Sequence, residues 1–194
     1  MNLKRVLASL LSVTVSLTSA RNTTDIDAPQ AAGRSAETCG DPADALPFYR
    51  LLAGTGEYLY VADPTTVGTE LRAAPNGWAL QTVAALVFST QEVSTVPFYT
   101  LHSNTGSEWL YVANTTELAN ALNNGYHLST EPVVYIYPTQ ICGSVPFYYL
   151  NNAAEKSNFY TAVESERLDF IANEGYTDVD IAGYVLPLGY SQCA

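Results

Sequence analysis

Three near-identical phrases constrain this chain more than any other feature. Pro47-Phe48-Tyr49-Arg50-Leu51, Pro97-Phe98-Tyr99-Thr100-Leu101 and Pro146-Phe147-Tyr148-Tyr149-Leu150 lie 50 and 49 residues apart (97 − 47, then 146 − 97). A fixed period of this size describes an assembly of three similar units, here about 46–95, 96–144 and 145–188. Whatever recurs in such a chain is expected to be scaffold, and whatever differs between units is where purpose can reside.

Each unit reads as strand, strand, short helix, strand. Proline ahead of aromatic and β-branched residues suits the first position of a strand. Turn signals follow at Gly54-Thr55-Gly56, at Ser103-Asn104-Thr105-Gly106 and, more weakly, at Asn151-Asn152-Ala153-Ala154. A second strand then carries Tyr58-Leu59-Tyr60-Val61, Trp109-Leu110-Tyr111-Val112 or Asn158-Phe159-Tyr160-Thr161. Alternation sends Leu59, Leu110 and Phe159 to one face and Tyr60, Tyr111 and Tyr160 to the other.

Helical spacing follows at Thr116–Leu122 and Glu166–Ala172, with Thr116 and Ser165 as candidate caps. A shorter version, Thr69–Ala74, is stopped by Pro75. Gly77-Trp78, Gly125-Tyr126 and Gly175-Tyr176 are expected to end the helices. Closing strands are expected at Ala84–Phe88, Val133–Tyr137 and Ala182–Leu186. The fold expected is therefore one strand-rich α+β domain over 46–194. Its three strand-strand-helix-strand repeats would close with pseudo-threefold symmetry, as in a β-trefoil-like body or a three-bladed ring.

The flanks speak of export. Lys4 and Arg5 precede an apolar stretch, Val6 to Leu17, and Thr18-Ser19-Ala20 offers small residues at a cleavage site, so residues 1–20 read as a signal peptide. The apolar run is shorter than the roughly 20 residues that span a bilayer. Residues 21–45 have few large apolar groups and read as a flexible leader. Without Lys4 and Arg5 the basic residues fall to 8 − 2 = 6 against 19 acidic ones, a net charge of −13. That balance argues against nucleic-acid and anionic-membrane partners, which need basic stripes.

Outside the cell three cysteines allow one internal bridge and one leftover thiol, or an intermolecular bridge. Ring closure would bring the two ends together and favours Cys39–Cys193; Cys39–Cys142 competes with it. Asn22-Thr23-Thr24 and Asn114-Thr115-Thr116 are glycosylation sequons, with Asn22 and Asn114 as acceptors. A secreted monomer, extracellular or wall-associated, is expected.

The repeat resembles a family of unknown function found in secreted fungal and bacterial proteins. Its members carry Pro-Leu-Tyr-Arg-Leu, then Gly-Asp-His-Phe-Tyr-Thr, Ala-Glu-Arg in a helix, Gly-Tyr and Ala-Gly-Tyr-Val. Here the third unit is nearest, with Phe159-Tyr160-Thr161, Glu166-Arg167, Gly175-Tyr176 and Ala182-Gly183-Tyr184-Val185. The resemblance covers Pro47 to Pro187 and implies no activity. The family's histidine before Phe-Tyr is replaced by Tyr58, Trp109 and Asn158.

Little in the chain suggests catalysis. There is no Gly-x-Ser-x-Gly elbow, phosphate loop or His-Glu-x-x-His, and His102 and His127, the two histidines, do not recur between units. No metal or cofactor is expected. Glu57 and Glu108 hold equal places in units one and two; they read as solvated hairpin residues, or as a carboxylate pair built from different repeats.

Aromatic residues are the better lead. Sugar rings stack on Tyr and Trp faces while Asn, Asp and Glu bond their hydroxyls. Trp78, Tyr126 and Tyr176 read as core. Tyr58 and Trp109, with Glu57, Glu108 and Asn158, are the candidate ligand-binding set. The leading expectation is a secreted, non-catalytic module for extracellular glycans. The alternatives are an extracellular hydrolase using paired carboxylates, and a structural or effector protein with a surface-protein partner.

Overall fold

A computed structural model describes residues 38–73, 77–106 and 108–189. The signal peptide, Asn22, Cys193 and residues 21–37 of the leader lie outside them.

Each Pro-Phe-Tyr phrase opens a strand. They are β1 (Ala45–Leu52), β4 (Val96–Ser103) and β8 (Val145–Asn152). Each folds back on a short partner: β2 (Tyr58–Val61), β5 (Trp109–Val112) and β9 (Ser157–Thr161). Gly56 and Gly106 make the first two turns at φ of 92° and 74°, where a side chain would be strained. The third turn has no such glycine. There the side-chain Oδ1 of Asn152 accepts from the amides of Ala154 and Glu155, and Lys156 takes the positive φ.

Helices follow: α1 (Pro64–Arg72), α2 (Thr115–Asn123) and α3 (Glu164–Asn173). Asp63 caps α1 through the amides of Thr65 and Thr66, with Pro64 at the first helical position. The helix therefore starts ahead of the expected Thr69. Asn114 caps α2 by accepting from the Thr116 amide, one residue pair ahead of the cap expected at Thr116. α3 starts behind Val163, so Ser165 is inside the helix rather than at its cap.

The return strands are β3 (Ala79–Phe88) and β10 (Thr177–Val185), with the middle one broken into β6 (Tyr126–Leu128) and β7 (Val134–Ile136). All pairings are antiparallel. One sheet runs β2-β1-β3-β7-β4-β5, with β6 also on β4; the other runs β10-β8-β9. Single bridges, Leu86 to Leu186 and Tyr137 to Tyr184, link the two. The architecture is thus strand-rich, in two antiparallel sheets that are not closed into a barrel. The expected closed ring fails as a hydrogen-bonded ring because the sheets meet through isolated bridges rather than a continuous ladder.

The core sits where β2, β5 and β9 face one another. Tyr60, Tyr111 and Tyr160 are buried there with Phe48, Phe98 and Phe147. Alternation is as expected: Leu59 and Phe159 turn to separate outer clusters, and Leu110 packs against a third. β2, β5 and β9 each end a strand order, so among the described residues each presents an edge that lacks a partner strand.

The tyrosines supply what is missing. The Tyr60 hydroxyl donates to the Tyr160 carbonyl and accepts from its amide. Tyr160 does the same to Tyr111, and Tyr111 to Tyr60. The rings meet edge-on, with centroids 5.3–5.6 Å apart. Buried hydroxyls and buried strand edges satisfy one another.

The disulfide joins Cys39 to Cys142, not to Cys193. Cys142 sits in the β7–β8 turn with φ of 57°, in a cluster with Phe88, Tyr137 and Leu186. The chain at 38–40 runs past that turn. Ser94 Oγ donates to the Thr38 carbonyl and the Gly40 amide donates to the Tyr137 hydroxyl. The two Cα atoms come within 5.6 Å, inside disulfide reach. Residues 38–44, ahead of the expected domain start, are fastened in this way.

Candidate functional site

Four of the five candidate ligand residues, Tyr58, Glu108, Trp109 and Asn158, make contacts between segments remote in the chain. Tyr58 begins β2 and lays its ring against Phe159 (5.0 Å) and Phe170 (6.3 Å) of the third unit. Burial pushes its hydroxyl up to about 12. Trp109 begins β5, stacks on His102 at 4.2 Å and packs on the cluster of Leu51, Leu59, Val61 and Val67. Its Nε1 is buried without a hydrogen-bond partner.

Asn158 is 2% exposed and spends its whole amide inside the protein. Nδ2 donates to Glu108 Oε1 and the Trp109 carbonyl, while Oδ1 accepts from the Tyr149 hydroxyl and Asn151 Nδ2. Glu108 is therefore held in a seam. Glu57 lies on another hairpin, half-buried, and burial raises its carboxyl. Among the described residues no contact joins Glu57 to Glu108.

The more open site is beside them, between α2 and β10. It is a groove of about 380 Å³. Leu110, Val112, Ala121, Val179 and Ile181 give it an apolar lining, and Tyr126 and Tyr149 add aromatic groups. Glu117, Asn120, Asn124 and Asp180 bring polar groups to it.

Local sequence explains the placement. The Asn114 cap sets the start of α2 and so puts Glu117 in its first turn. The β10–β8 register shifts between Asp178 and Asp180, a bulge that re-aims side chains at that point. A second shift precedes Gly183, whose φ of 151° disfavours a side chain and where an added Cβ would stand 2.3 Å from Ile136 Cδ1 and force that side chain to move.

The electrostatics are one-sided. Burial, and then the charge of Asp180, raise the Glu117 carboxyl. Tyr149 is pushed up to about 12 by burial and by the charges of Glu108 and Glu117. Among the described residues no Lys, Arg or His lines the groove.

The seam at α3 has the opposite balance. Arg50 Nη1 and Nη2 donate to the two Glu166 oxygens at 3.0 and 2.5 Å, and Thr161 Oγ1 donates to Oε2. The guanidinium lies over the Phe159 ring at 4.6 Å. Burial opposes the charge on Glu166, yet the Arg50 and Thr161 bonds hold its carboxyl below the usual range.

The profile of a family described as a domain of unknown function, DUF5648, matches residues 47–186. The chain belongs to that family. Neither a curated protein nor a solved structure matches it. The DUF5648 domain thus runs from the first Pro-Phe-Tyr phrase to the end of β10, and both the groove and the Arg50–Glu166 seam belong to it. Among the described residues no three His, Cys, Asp or Glu side chains converge as a metal site would require.

Glu117, Tyr149 and Asp180 were missed by reasoning from sequence alone. A signal for two of them was present. Glu117 and Glu166 each stand six residues after the core tyrosine, and Tyr149 and Arg50 each stand three after the proline of their phrase. On the same count Thr66, not Glu70, is the first unit's equivalent of Glu166.

Proposed function

We propose that this is a secreted, non-catalytic binding module whose ligand is an extracellular glycan, held in the groove between α2 and β10. One observation carries the reading: an apolar floor with three tyrosines, Tyr111, Tyr126 and Tyr149, is flanked by two asparagines and two carboxylates in a small open groove. Sugars ask for that mixture, an apolar face to stack on and polar groups for the hydroxyls. Tyr58, Trp109 and Asn158 then act as seam residues that shape the site rather than as the sugar platform.

The three units are copies about a pseudo-threefold axis through the tyrosine triad. The cyclic hydroxyl bonds, each tyrosine serving the main chain of the next, support this. The disulfide suits an oxidising compartment, and no helix among the described residues is long and apolar enough to cross a membrane. Asn114 is exposed beside the groove, where a glycan on it would stand at the rim.

Retention on a panel of insoluble and arrayed polysaccharides tests the reading. Tyr149→Ala is expected to lower retention about tenfold or more while Trp109→Ala mainly lowers stability. A blank panel sinks it, and retention on a surface protein without sugar dependence favours the structural or effector class.

A second reading has its own support. Glu117, raised by burial and by Asp180, shares the groove with that second carboxylate, as an acid–base pair in a hydrolase would. Turnover of a polysaccharide that Glu117→Gln abolishes would establish it; intact substrates would remove it.

A further inference from the structure

The α3 seam displays what the α2 groove lacks. At α3 the acid six residues after the core tyrosine, Glu166, is met by a guanidinium from the third position after a phrase proline, Arg50. At α2 the same two places hold Glu117 and Tyr149. The acid is kept and its cation is gone. Asp180 adds a second negative group, and among the described residues no basic one lines the groove.

The volumes of the two sites are alike, about 380 Å³ at α2 and about 390 Å³ around Arg50 and Glu166. What differs is charge. A cavity of a few hundred Å³ suits a small ligand. Two carboxylates that make no ion pair among the described residues, above an apolar and aromatic lining, suit a cation with an apolar body.

We infer that the groove takes the protonated amine of an amine-bearing sugar, with Glu117 and Asp180 as its counter-ions and Tyr149 beneath the ring. This rests on the glycan reading above and names the class of glycan. The ammonium occupies the role in trans that the Arg50 guanidinium plays in cis at α3. Loss of a charge-assisted bond is expected to weaken binding about tenfold or more.

The test is calorimetric titration of the full secreted chain with β-1,4-linked diglucosamine and with its N-acetylated form, at mildly acidic pH. The free amine is expected to bind and the acetylated form to bind about tenfold more weakly. Glu117→Gln and Tyr149→Arg are each expected to weaken the amine by a similar factor, the second by supplying a cation in cis. Asp44→Asn, an exposed acid outside the groove, is expected to change nothing.

Should Tyr149→Arg fail to fold, Glu117→Gln on the exposed helix face decides. Equal binding of both sugars overturns the ammonium site and leaves the glycan reading standing. Ethanolamine binding as tightly as diglucosamine, and lost in Glu117→Gln, supports the ammonium site and removes the sugar from the proposed function. Equal weakening by Asp44→Asn overturns the inference as diffuse attraction to an acidic protein, and no binding of either sugar or of ethanolamine overturns the inference, the glycan reading falling with it only where the polysaccharide panel is blank as well.

Discussion

The seam at α3 and the groove at α2 are built from the same pieces and reach opposite electrostatic outcomes. Both have a helix that follows the core tyrosine strand, an acid in its first turns and a residue from the next phrase strand facing it. At α3 that residue is Arg50, 6% exposed, bidentate on Glu166 and stacked on Phe159. At α2 it is Tyr149, whose hydroxyl is turned to Asn158 and whose ring stacks on Tyr160 at 4.8 Å. One seam is closed by an internal ion pair. The other holds Glu117 and Asp180 with no basic side chain among the described residues that line it. Two seams of similar construction thus differ in charge where one carries arginine and the other tyrosine, and the proposed site lies at the second.

The largest test of that contrast is Glu166→Ala. It strands a buried guanidinium, and the expected loss is about 3 kcal/mol, somewhat reduced because Glu166 is partly exposed. Glu117→Ala should be close to neutral. Urea denaturation of both variants checks this; equal losses would erase the distinction between the seams.

Next comes the triad shared by all three units. Tyr160→Phe removes one hydroxyl that serves both an amide and a carbonyl, leaving two buried main-chain groups unpaired, and should cost about 2 kcal/mol. Tyr60→Phe and Tyr111→Phe should cost nearly the same. Unequal values would show that the three positions are not equivalent.

Acid titration separates the carboxylates by sign. Glu166 is held below its ordinary value of 4.5, so its contribution is fully present above that value and is lost as pH falls through the depressed one. Glu117 is raised above 4.5, so its charged form is a penalty near neutral pH that fades as pH falls through the raised value toward 4.5. Glu166→Gln should therefore flatten the acid limb of the stability curve. Glu117→Gln should lift the neutral region slightly, by less than about 1 kcal/mol for so exposed a group.

The smallest expected effect is Tyr149→Arg, which copies Arg50 into the α2 groove. Stability should change within about 1 kcal/mol, as a new ion pair offsets the lost stacking. The sharper readout is the Glu117 carboxyl, which NMR titration should find moved below its ordinary value.

Local patterns carried much of this fold. Turn residues, alternation and the phrase prolines placed β1, β4 and β8 with their hairpin partners, and sent Tyr60, Tyr111 and Tyr160 inward. The start of α1 was also written locally, in Asp63-Pro64, but the apolar spacing from Thr69 onward pointed further along the chain. The missed groove is a different matter. Alternation says which face Trp109 shares with Tyr111; it does not say that the first unit's Leu51, Leu59 and Val61 will cover it.

What residue order determined, then, was the three phrases, the strand–strand–helix–strand rhythm and the inward tyrosines, because these depend on neighbours a few positions away. Tertiary structure alone decided that Cys39 meets Cys142, that Arg50 answers Glu166 across 116 residues, and that Glu117 is left facing Asp180. Those outcomes depend on distances between segments remote in the chain. Packing sets such distances, and a one-dimensional pattern does not contain them.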